Sequence, residues 1–531
     1  MMTTLWIVAA VILWTLCSIE VSSTQSSVSF QVFPNISACH DKSGTENALI
    51  PLLPTSTFEE CLDLAANRSC YSVCWSKQAK TDNCHCHVTP IWMPLPNTSV
   101  DSAVLDWPCT SPKDCSYNGI CDTTSSSSSS TPKCHCHAGW GGVRCGALQF
   151  LPVHKDTPGF RQVNATTRHN ISTWGASILW DHQTQQWHGW VSEIVNECGI
   201  NAWNVNSQIV HITSHYSPSG PFQRQDIFAT PFAHEPSVTR GPRGEWVMLY
   251  SAYNNLTRHI THHHEGYNAS TWQRVACTNC SQGASLSPVG SKGCPFQRGQ
   301  PTRLNHLYIQ MMAIASHPNG PWRHVEIPKL TMPWDWNTAM TIRPNSEEAI
   351  ALIRGGMVWH AHQYDDPHSW HPLNGRADPD DDHQPSPHWP IPVEDPYIWY
   401  DDTNGVYHAL AHCFDPFFGV HAYAADDKHH HNHSSLKVLN WTVTGVAYDN
   451  VVHFTDGTQY AFGRRERPFL IWGKMGQLVA LSNGVAYGTP NPFAVGHDMT
   501  FTLVAPIVQQ QQQAITSSHQ LKRTTRVLAT V

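Results

Sequence analysis

Two neighbouring stretches, WGASILWD at residues 174–181 and WHGWVSEI at residues 187–194, decide the fold of this chain. They are short runs rich in Trp, Ile and Val, split by a polar turn, and such side chains suit the pleated surface of a β-sheet, so the pair predicts a β-hairpin. The same arrangement recurs four more times. The later pairs are EPSVTRGPRG with EWVMLYSA from Glu235, NTAMTIRPNS with EAIALIRG from Asn337, DPYIWYDDTNG with VYHALAHC from Asp395, and RPFLIWGKMG with LVALSNGV from Arg467.

Repeats of this size, with two hairpins each, predict the blades of a propeller. A second repeated motif supports a repeat architecture. SPSGPF at residues 217–222 resembles HPNGPW at residues 317–322, and the combination of Pro and Gly is typical of a turn. The predicted fold class is therefore all-β: a five-bladed β-propeller over residues 151–505, preceded by small disulfide-rich modules. A β-sandwich with coincidental spacing is the alternative.

The ends of the chain are predicted to lie outside the folded domains. Residues 5–17 form an apolar run too short to span a bilayer comfortably, and small residues follow it, which predicts a signal peptide over residues 1–23. An uncleaved membrane anchor is the alternative. Residues 506–531 contain QQQQQ and a polar, basic end, which is typical of a disordered tail.

Cysteine usage indicates an oxidising compartment. Of the 18 cysteines, one lies in the predicted signal peptide, and two sets of six occupy the modules at residues 28–107 and 108–146. Small domains behind a signal peptide commonly replace core burial with disulfides, so we expect a secreted or extracellular protein. Acceptor sequences for N-glycosylation agree with a glycoprotein. They lie at Asn35, Asn67, Asn97, Asn164, Asn170, Asn255, Asn268, Asn279, Asn432 and Asn440.

The second cysteine-rich module resembles an EGF-like domain. The motif that supports this resemblance is CHCHAGWGGVRC at residues 134–145, preceded by Cys109, Cys115 and Cys121. The resemblance implies that Cys109 pairs with Cys121, Cys115 with Cys134, and Cys136 with Cys145, and that this module can contact proteins. The first module, residues 28–107, resembles PAN/apple or WSC-type modules, which bind glycans or proteins.

The sequence also contains patterns that invite a metal-site interpretation. CHCH occurs at residues 84–87 and 134–137, and histidine runs occur at residues 262–264 and 429–433. Alternating Cys and His would suit zinc, but these cysteines are needed as disulfide partners. We expect the histidine runs to be exposed loops. The prediction is no metal and no cofactor.

The first strand of every blade lines the central channel, so the opening residues of the five repeats should converge on one funnel. The repeats align Gly175, Glu235, Asn337, Asp395 and Arg467. Their neighbours in the chain are Trp174, His234, Trp336, Glu394 and Glu466.

This mixture of carboxylates, arginine and aromatic rings suits sugars, and two carboxyls across a scissile bond supply the acid and base for glycoside cleavage. We expect Glu235 and Glu394 as acid/base candidates. In the purely structural alternative, these carboxylates and Arg467 only hold the blades together. Asp395 is a further catalytic candidate and a candidate binder of sugar hydroxyls. The remaining candidates are Arg467, His234 and Asn337 as substrate-binding groups, Trp174 and Trp336 as stacking platforms, and Asp335 and Glu466 as reserves.

Acidic residues at x-Pro-apolar strand starts (EPSV, DPYI, with RPFL) are similar to those of the five-bladed propeller superfamily of family 43-type glycoside hydrolases, arabinanases, levansucrases and invertases. The resemblance covers residues 151–503. It implies an Asp base on the first blade, a pKa-tuning acid on the second, matched by Glu235, and a Glu acid on a later blade. The first-blade position falls at Trp174 or Gly175, so only Asp181 or Glu193 could replace the base.

The expected function is therefore cleavage or recognition of glycans in the propeller funnel. The alternative is a non-catalytic glycan-binding or adhesion protein with a degenerate hydrolase propeller. The net charge of −8 and the 14% share of charged residues provide no basic field for a phosphate backbone, so nucleic acid is not an expected partner.

Overall fold

A computed structural model of the chain divides into two compact units. One holds Met1–Ala147 with Val443–Ala447, and the other holds Leu148–Thr442 and Tyr448–Val531. The structure describes residues 108–123, 132–166, 170–200, 203–230, 232–253, 308–332, 337–374, 389, 393–413, 418–426, 439–487 and 499–509, together with the backbone of strands between residues 29 and 106. The predicted signal peptide, both histidine runs, Asp335, Trp336 and residues 510–531 lie outside the described residues.

The first unit contains a small five-stranded sheet and a disulfide-bonded segment. The sheet order is Ser29–Phe33, Val100–Asp106, Ser72–Ser76, Asn83–His87 and Leu49–Pro51, and Ile36–Ser37 pairs with Leu95–Pro96. The disulfide-bonded segment contains the 3-10 helix Pro112–Cys115 and the strands Gly119–Asp122, Lys133–Cys136 and Trp140–Gly141.

The three disulfides of this segment join the cysteines that the EGF resemblance pairs. They are Cys109–Cys121, Cys115–Cys134 and Cys136–Cys145. Since both cysteines of the CHCH stretch at residues 134–137 are used in these bonds, their thiolates are not available to zinc.

The second unit is a propeller of five four-stranded antiparallel sheets, as the repeats predict. Blade 1 contains Thr173–Asp181, Gln186–Ile194, Ser207–Ser214 and Gln223–Ala229; blade 2 contains Ala233–Arg240, Trp246–Tyr253, Tyr308–Ala315 and Arg323–Met332. Blade 3 contains Ala339–Ile342, Ala349–Ile353, Met357–Ala361 and Trp370–Asn374; blade 4 contains Val393–Asp401, Val406–Cys413, Phe418–Ala425 and Thr442–Asp449. Blade 5 contains Arg464–Trp472, Leu478–Ala486, Thr500–Pro506 and Gly159–Phe160.

The ring of blades is closed in two ways. The first strand of each blade contacts the first strands of both neighbouring blades, so these five strands surround the centre. In addition, the outermost strand of blade 5 comes from the start of the propeller segment, where Gly159 and Phe160 pair with Leu503 and Thr502. Pairing the two ends of the domain in one sheet leaves no open edge at the junction.

Short elements connect these strands. They are the α-helical turn Trp203–Asn206, the 3-10 helix Arg354–Gly356 and the strands Gln162–Val163, Asn170–Ile171, Val451–His453 and Gln459–Ala461. The short strand Ala147–Leu148 precedes the blades in the chain. The two Pro-x-Gly-Pro echoes form the turns between the third and fourth strands of blades 1 and 2, where Gly220 and Gly320 have φ of 97° and 82°. Among the described residues, no helix is both long and apolar enough to cross a membrane.

The core lies between the blades. Val247 and Leu249 of blade 2 pack with Met340, Ala351 and Trp370 of blade 3. Every residue of the third strand of blade 1, Ser207–Ser214, is buried. This middle strand is thus covered on both faces, and neighbouring blades pack through apolar side chains.

Two buried histidine pairs are part of this interior. His188 Nδ1 lies 2.9 Å from His211 Nε2 in blade 1, and His408 Nδ1 lies 3.0 Å from His421 Nε2 in blade 4. In each pair the rings are stacked. Burial lowers the pKa of His188 to about 3 and that of His408 to about 4, so both rings are neutral in the folded protein at pH 7.

Closure through Gly159 can be tested with a matched glycine. Gly159 has φ of 137°, and an added Cβ would meet the backbone of Thr502 and Val504, whereas Gly244 has φ of 82° and open space around it. We expect Gly244→Ala to lose about 1 kcal/mol of unfolding free energy through backbone strain alone. Gly159→Ala should lose about 1–3 kcal/mol more through overpacking. Equal losses in denaturant titrations would contradict the closure described here.

The histidine pairs predict acid sensitivity. Because the folded pKa of His188 and His408 is below the unfolded value of about 6.5, the unfolded chain binds more protons, and stability falls as the pH drops from 6.5 towards 4. Each ring contributes up to about 1.4 kcal/mol per pH unit. We expect His188→Gln to flatten the pH dependence of the unfolding free energy between pH 6.5 and 4. The exposed His182→Gln is the control, and identical slopes in the two variants would refute this origin.

Candidate functional site

The five residues aligned by the repeats share one unusual backbone conformation. Their φ values are 58° for Gly175, 57° for Glu235, 41° for Asn337, 49° for Asp395 and 54° for Arg467. In blades 1, 2, 4 and 5 the pairing of the inner strand shifts register at this position, as it does at a β-bulge. We call these five residues the bulge ring.

Such a conformation is unfavourable for four of the five residues. A side chain with a Cβ at positive φ costs roughly 1–2 kcal/mol, and such strain persists only where surrounding contacts impose it. Clusters of strained residues are also common at functional sites. The side-chain contacts of the bulge ring must therefore stabilise this strained backbone.

Asn337 connects two carboxylates of the ring. Its Nδ2 donates to Glu235 Oε1 at 2.6 Å and to Asp395 Oδ1 at 2.7 Å. Arg467 Nη1 approaches the same two oxygens, at 3.2 Å and 3.8 Å. All four side chains are buried. One amide and one guanidinium thus hold together carboxylates from blades 2 and 4.

Gly175 supplies the space that Arg467 needs. A Cβ on Gly175 would lie 2.7 Å from Arg467 Cδ and 2.9 Å from its Cγ. Arg467 Nη2 then donates to the carbonyl oxygen of Pro236 at 3.3 Å. The first-blade position therefore carries no carboxylate and is covered by the stem of an arginine.

His234 lies against the ring from blade 2. Its Nδ1 is 2.6 Å from Ser207 Oγ and its Nε2 is 3.6 Å from Glu235 Oε1, while its ring stacks on Trp203. Burial, with a smaller effect of Arg467, lowers the pKa of His234 well below its ordinary value. The ring is neutral and restricts where the Glu235 carboxylate can lie.

A second group of charges adjoins the ring, and we call Glu394, His412 and Glu466 the acid–histidine cluster. His412 Nδ1 is 3.4 Å from Glu394 Oε1, and its Nε2 is 3.9 Å from Glu466 Oε1. Arg354 pairs with Glu394 at 3.4 Å, and Arg464 forms a bidentate pair with Glu466. The three potential ligand atoms lie within 4.8 Å of one another, but the two arginines already supply positive charge there.

The neighbouring carboxyls Glu394 and Asp395 have opposite pKa shifts. Burial, together with Glu235 and Glu394, raises the pKa of Asp395 well above its ordinary value. Burial also acts to raise the pKa of Glu394, but His412, Arg354 and Arg464 outweigh it and lower that pKa to about 2. There is therefore a pH range in which the Asp395 carboxyl is protonated while the neighbouring Glu394 carboxyl is ionised.

The surroundings of His412 favour its cationic form. Burial acts to lower its pKa, but Glu466, Glu394 and Asp395 outweigh burial and raise it. The ring is buried, and its two nitrogens face carboxylates from blades 4 and 5. A protonated imidazole between two carboxylates stabilises both in their charged forms.

The structure brings together most, but not all, of the sequence-predicted site residues. Glu235, His234, Asn337, Asp395 and Arg467 form one contact network, and Glu394 and Glu466 adjoin it. Asp335 and Trp336 lie outside the described residues.

Trp174 is placed differently from a stacking platform. Its side chain is 3% exposed, its ring packs on Gly484, and Arg464 lies 4.8 Å from the ring centroid. A sugar would have to displace the arginine to reach it. In this structure Trp174 supports Arg464.

The two alternative first-blade acids do not join the ring. Glu193 pairs with Arg224 at 3.0 Å and accepts from Gln208 at 2.6 Å. Asp181 accepts from the backbone and hydroxyl of Thr184 in the hairpin turn. Neither replaces the missing first-blade carboxylate.

Sequence reasoning missed His412, Arg354 and Arg464. His412 lies directly across the hairpin from Glu394, but the bulge shifts the pairing by one residue. Counting back from the turn without a bulge places Cys413 opposite Glu394. Arg464 precedes the strand start by three residues, and Arg354 comes from the loop of another blade, so no local pattern marked them.

Comparison with known proteins finds only distant structural likeness. No family model matches the chain, and no curated protein matches it. Among solved structures, a GH43_1 enzyme from Xanthomonas citri has 8% identity and a TM-score of 0.33, over 66% of this chain and 90% of that chain. A GH43 β-1,3-galactosidase has 14% identity and a TM-score of 0.33, over 68% and 62%.

An exo-β-1,3-galactanase from Phanerochaete chrysosporium has 12% identity and a TM-score of 0.35, over 67% of this chain and 66% of that chain. At identities this low the roles of individual residues do not transfer.

The shared amide of Asn337 can be tested with a matched asparagine. Asn345 also has positive φ, 56°, but is exposed, so glycine at either position suits the backbone equally. We expect Asn337→Gly to lose about 2 kcal/mol or more of unfolding free energy, because two buried carboxylates lose a donor. Asn345→Gly should change it by less than about 0.5 kcal/mol. Similar values for both variants would show that the amide does not hold the ring.

Proposed function

We propose that this protein is a glycoside-hydrolase-like propeller that binds glycans at the bulge ring and the adjoining acid–histidine cluster. The observation that carries the proposal is the opposite pKa shift of Asp395 and Glu394. Pairs of carboxyls whose environments separate their pKa values are what glycoside cleavage requires, one as acid and one as base or nucleophile.

The proposed roles follow from these charge states. Asp395 donates a proton to the leaving oxygen, a role that the sequence alone assigned to Glu235 or Glu394. Glu394 acts as the ionised carboxylate, and its side chain is 19% exposed, against 4% for Asp395 and 3% for Glu235. Glu235, held by Asn337 and Arg467, positions the acid and disfavours its ionisation.

A specific observation favours a second candidate, glycan recognition without cleavage. The first-blade position is Gly175, covered by the stem of Arg467, so the base implied there by the family resemblance has no counterpart. If Glu394 does not act as the base, the carboxylates of the site would bind sugar hydroxyls and leave the glycosidic bond intact. Both candidates use the same funnel and differ only in turnover.

We also propose an extracellular location for this protein. The three disulfides between residues 109 and 145 support an oxidising compartment, and Asn170 and Asn440, in acceptor sequences, are exposed. We propose a secreted glycoprotein whose EGF-like segment contacts other proteins. Carbohydrate is the expected ligand of the propeller.

Turnover of chromogenic arabinosides, xylosides, galactosides and fructosides tests the catalytic proposal. We expect cleavage of at least one class, with kcat reduced at least 100-fold in Asp395→Asn and in Glu394→Gln, because removal of a positioned acid or base has effects of that size. Asp156→Asn, at an exposed position, is the control and should keep full activity.

Glycan-array binding separates the two candidates. Binding that is lost in Glu394→Gln, with no turnover of any glycoside, would support recognition and reject catalysis. An absence of both turnover and binding in the folded wild-type protein would overturn the proposal as a whole.

A further inference from the structure

Three histidines form a cluster at the outer side of blade 3, separate from the bulge ring. His360 belongs to the third strand, His362 follows that strand, and His371 belongs to the fourth strand. The ring centroids lie 4.6 Å apart for His360 and His362, 5.0 Å for His360 and His371, and 5.4 Å for His362 and His371. One nitrogen of each ring lies within 4.8 Å of the other two.

The nitrogen separation within this cluster matches metal coordination. His360 Nδ1 lies 3.3 Å from His371 Nε2. Two ligands about 2.0–2.1 Å from a tetrahedral zinc ion are separated by roughly 3.3 Å along an edge of the tetrahedron. The two imidazoles are therefore already spaced as neighbouring ligands.

A backbone contact fixes the ring of His371 in a suitable orientation. Its Nδ1 lies 3.0 Å from the carbonyl oxygen of Ser369 and can only donate to it. The neutral ring then carries its lone pair on Nε2, which faces His360. Metal-bound histidines commonly donate their other ring nitrogen to a backbone carbonyl in this way.

His360 is the most deeply buried histidine of the cluster. The residue is 1% exposed, and its Nε2 is buried without a hydrogen-bond partner among the described residues. Its other nitrogen, Nδ1, faces His371 and is the one that His360 offers to a metal ion, so a bound ion would leave Nε2 unpaired.

The cluster differs from the two histidine pairs that serve only packing. His188–His211 and His408–His421 are stacked at 11° and 28°, and each pair has a nearby carboxylate, Asp226 or Asp401. In blade 3 the His360 and His371 rings are perpendicular, at 87°, and a third histidine takes part. Packing of a histidine pair therefore does not account for this arrangement.

The surroundings admit a cation. The positive charge of Arg343 acts on His360. This charge is compensated, because Arg343 pairs with Glu348 at 2.5 Å and with Asp426 at 2.8 Å. His362 is exposed and His371 is half-buried, so an ion can enter from solvent and keep a water ligand.

We propose that His360, His362 and His371 bind a divalent transition-metal ion, with zinc as the expected ion. Three neutral imidazoles suit zinc, copper and nickel and do not suit magnesium or calcium, which prefer oxygen ligands. The site lies on the outer strands of blade 3, so it serves to fasten these strands and takes no part in glycan chemistry.

Zinc titration of the full chain by calorimetry at pH 7.5 tests this site. We expect one tight site in the wild-type protein, and a dissociation constant for that site at least tenfold larger in His362→Gln and in His371→Gln. His368→Gln, an exposed histidine in the same turn region, is the control and should bind as the wild type does. Because His362 is exposed, its substitution keeps the fold, which the unchanged thermal midpoint of the zinc-free protein will verify.

The histidine runs at residues 262–264 and 429–433 offer other metal ligands, so the variants decide the outcome. Zinc binding with unchanged stoichiometry and affinity in both His362→Gln and His371→Gln would overturn the proposal. So would a wild-type protein that binds no zinc.

Discussion

The centre of this propeller depends on one shared hydrogen-bond donor. Nδ2 of Asn337 contacts a carboxylate oxygen from blade 2 and another from blade 4, and Arg467 reaches the same two oxygens from blade 5. Two buried carboxylates so close to one amide would repel each other if both were ionised without compensation. The raised pKa of Asp395 and the guanidinium of Arg467 are the two means by which this repulsion is relieved.

The strained backbone and this network explain each other. Positive φ at Glu235, Asn337, Asp395 and Arg467 directs their side chains towards one another, and the contacts offset a strain of roughly 1–2 kcal/mol per residue. Gly175 completes the set because only glycine leaves space for the stem of Arg467. The first blade therefore contributes a residue without a side chain, because a Cβ there would clash with Arg467. This explains why no carboxylate lies at the first-blade position.

The sequence predicted the five hairpins and the alignment of the bulge-ring residues, because alternating apolar runs and turn residues carry that information locally. It could not predict the bulges, since Glu and Arg have no local preference for positive φ. Without the bulges, the pairing of Glu394 with His412 and the approach of Arg464 were out of reach. Trp174 shows the same limit, because its burial follows from Gly484 and Arg464, which are distant in the chain.

The environment of Asp395 favours its protonated form, while that of its neighbour Glu394 favours the ionised form. Difference infrared spectroscopy of the wild type against Asp395→Asn at pH 7 tests it directly, because a protonated carboxyl and a carboxylate absorb in separate regions. We expect the substitution to remove a protonated-carboxyl band and to leave the carboxylate bands unchanged. Loss of a carboxylate band in place of the protonated one would contradict it.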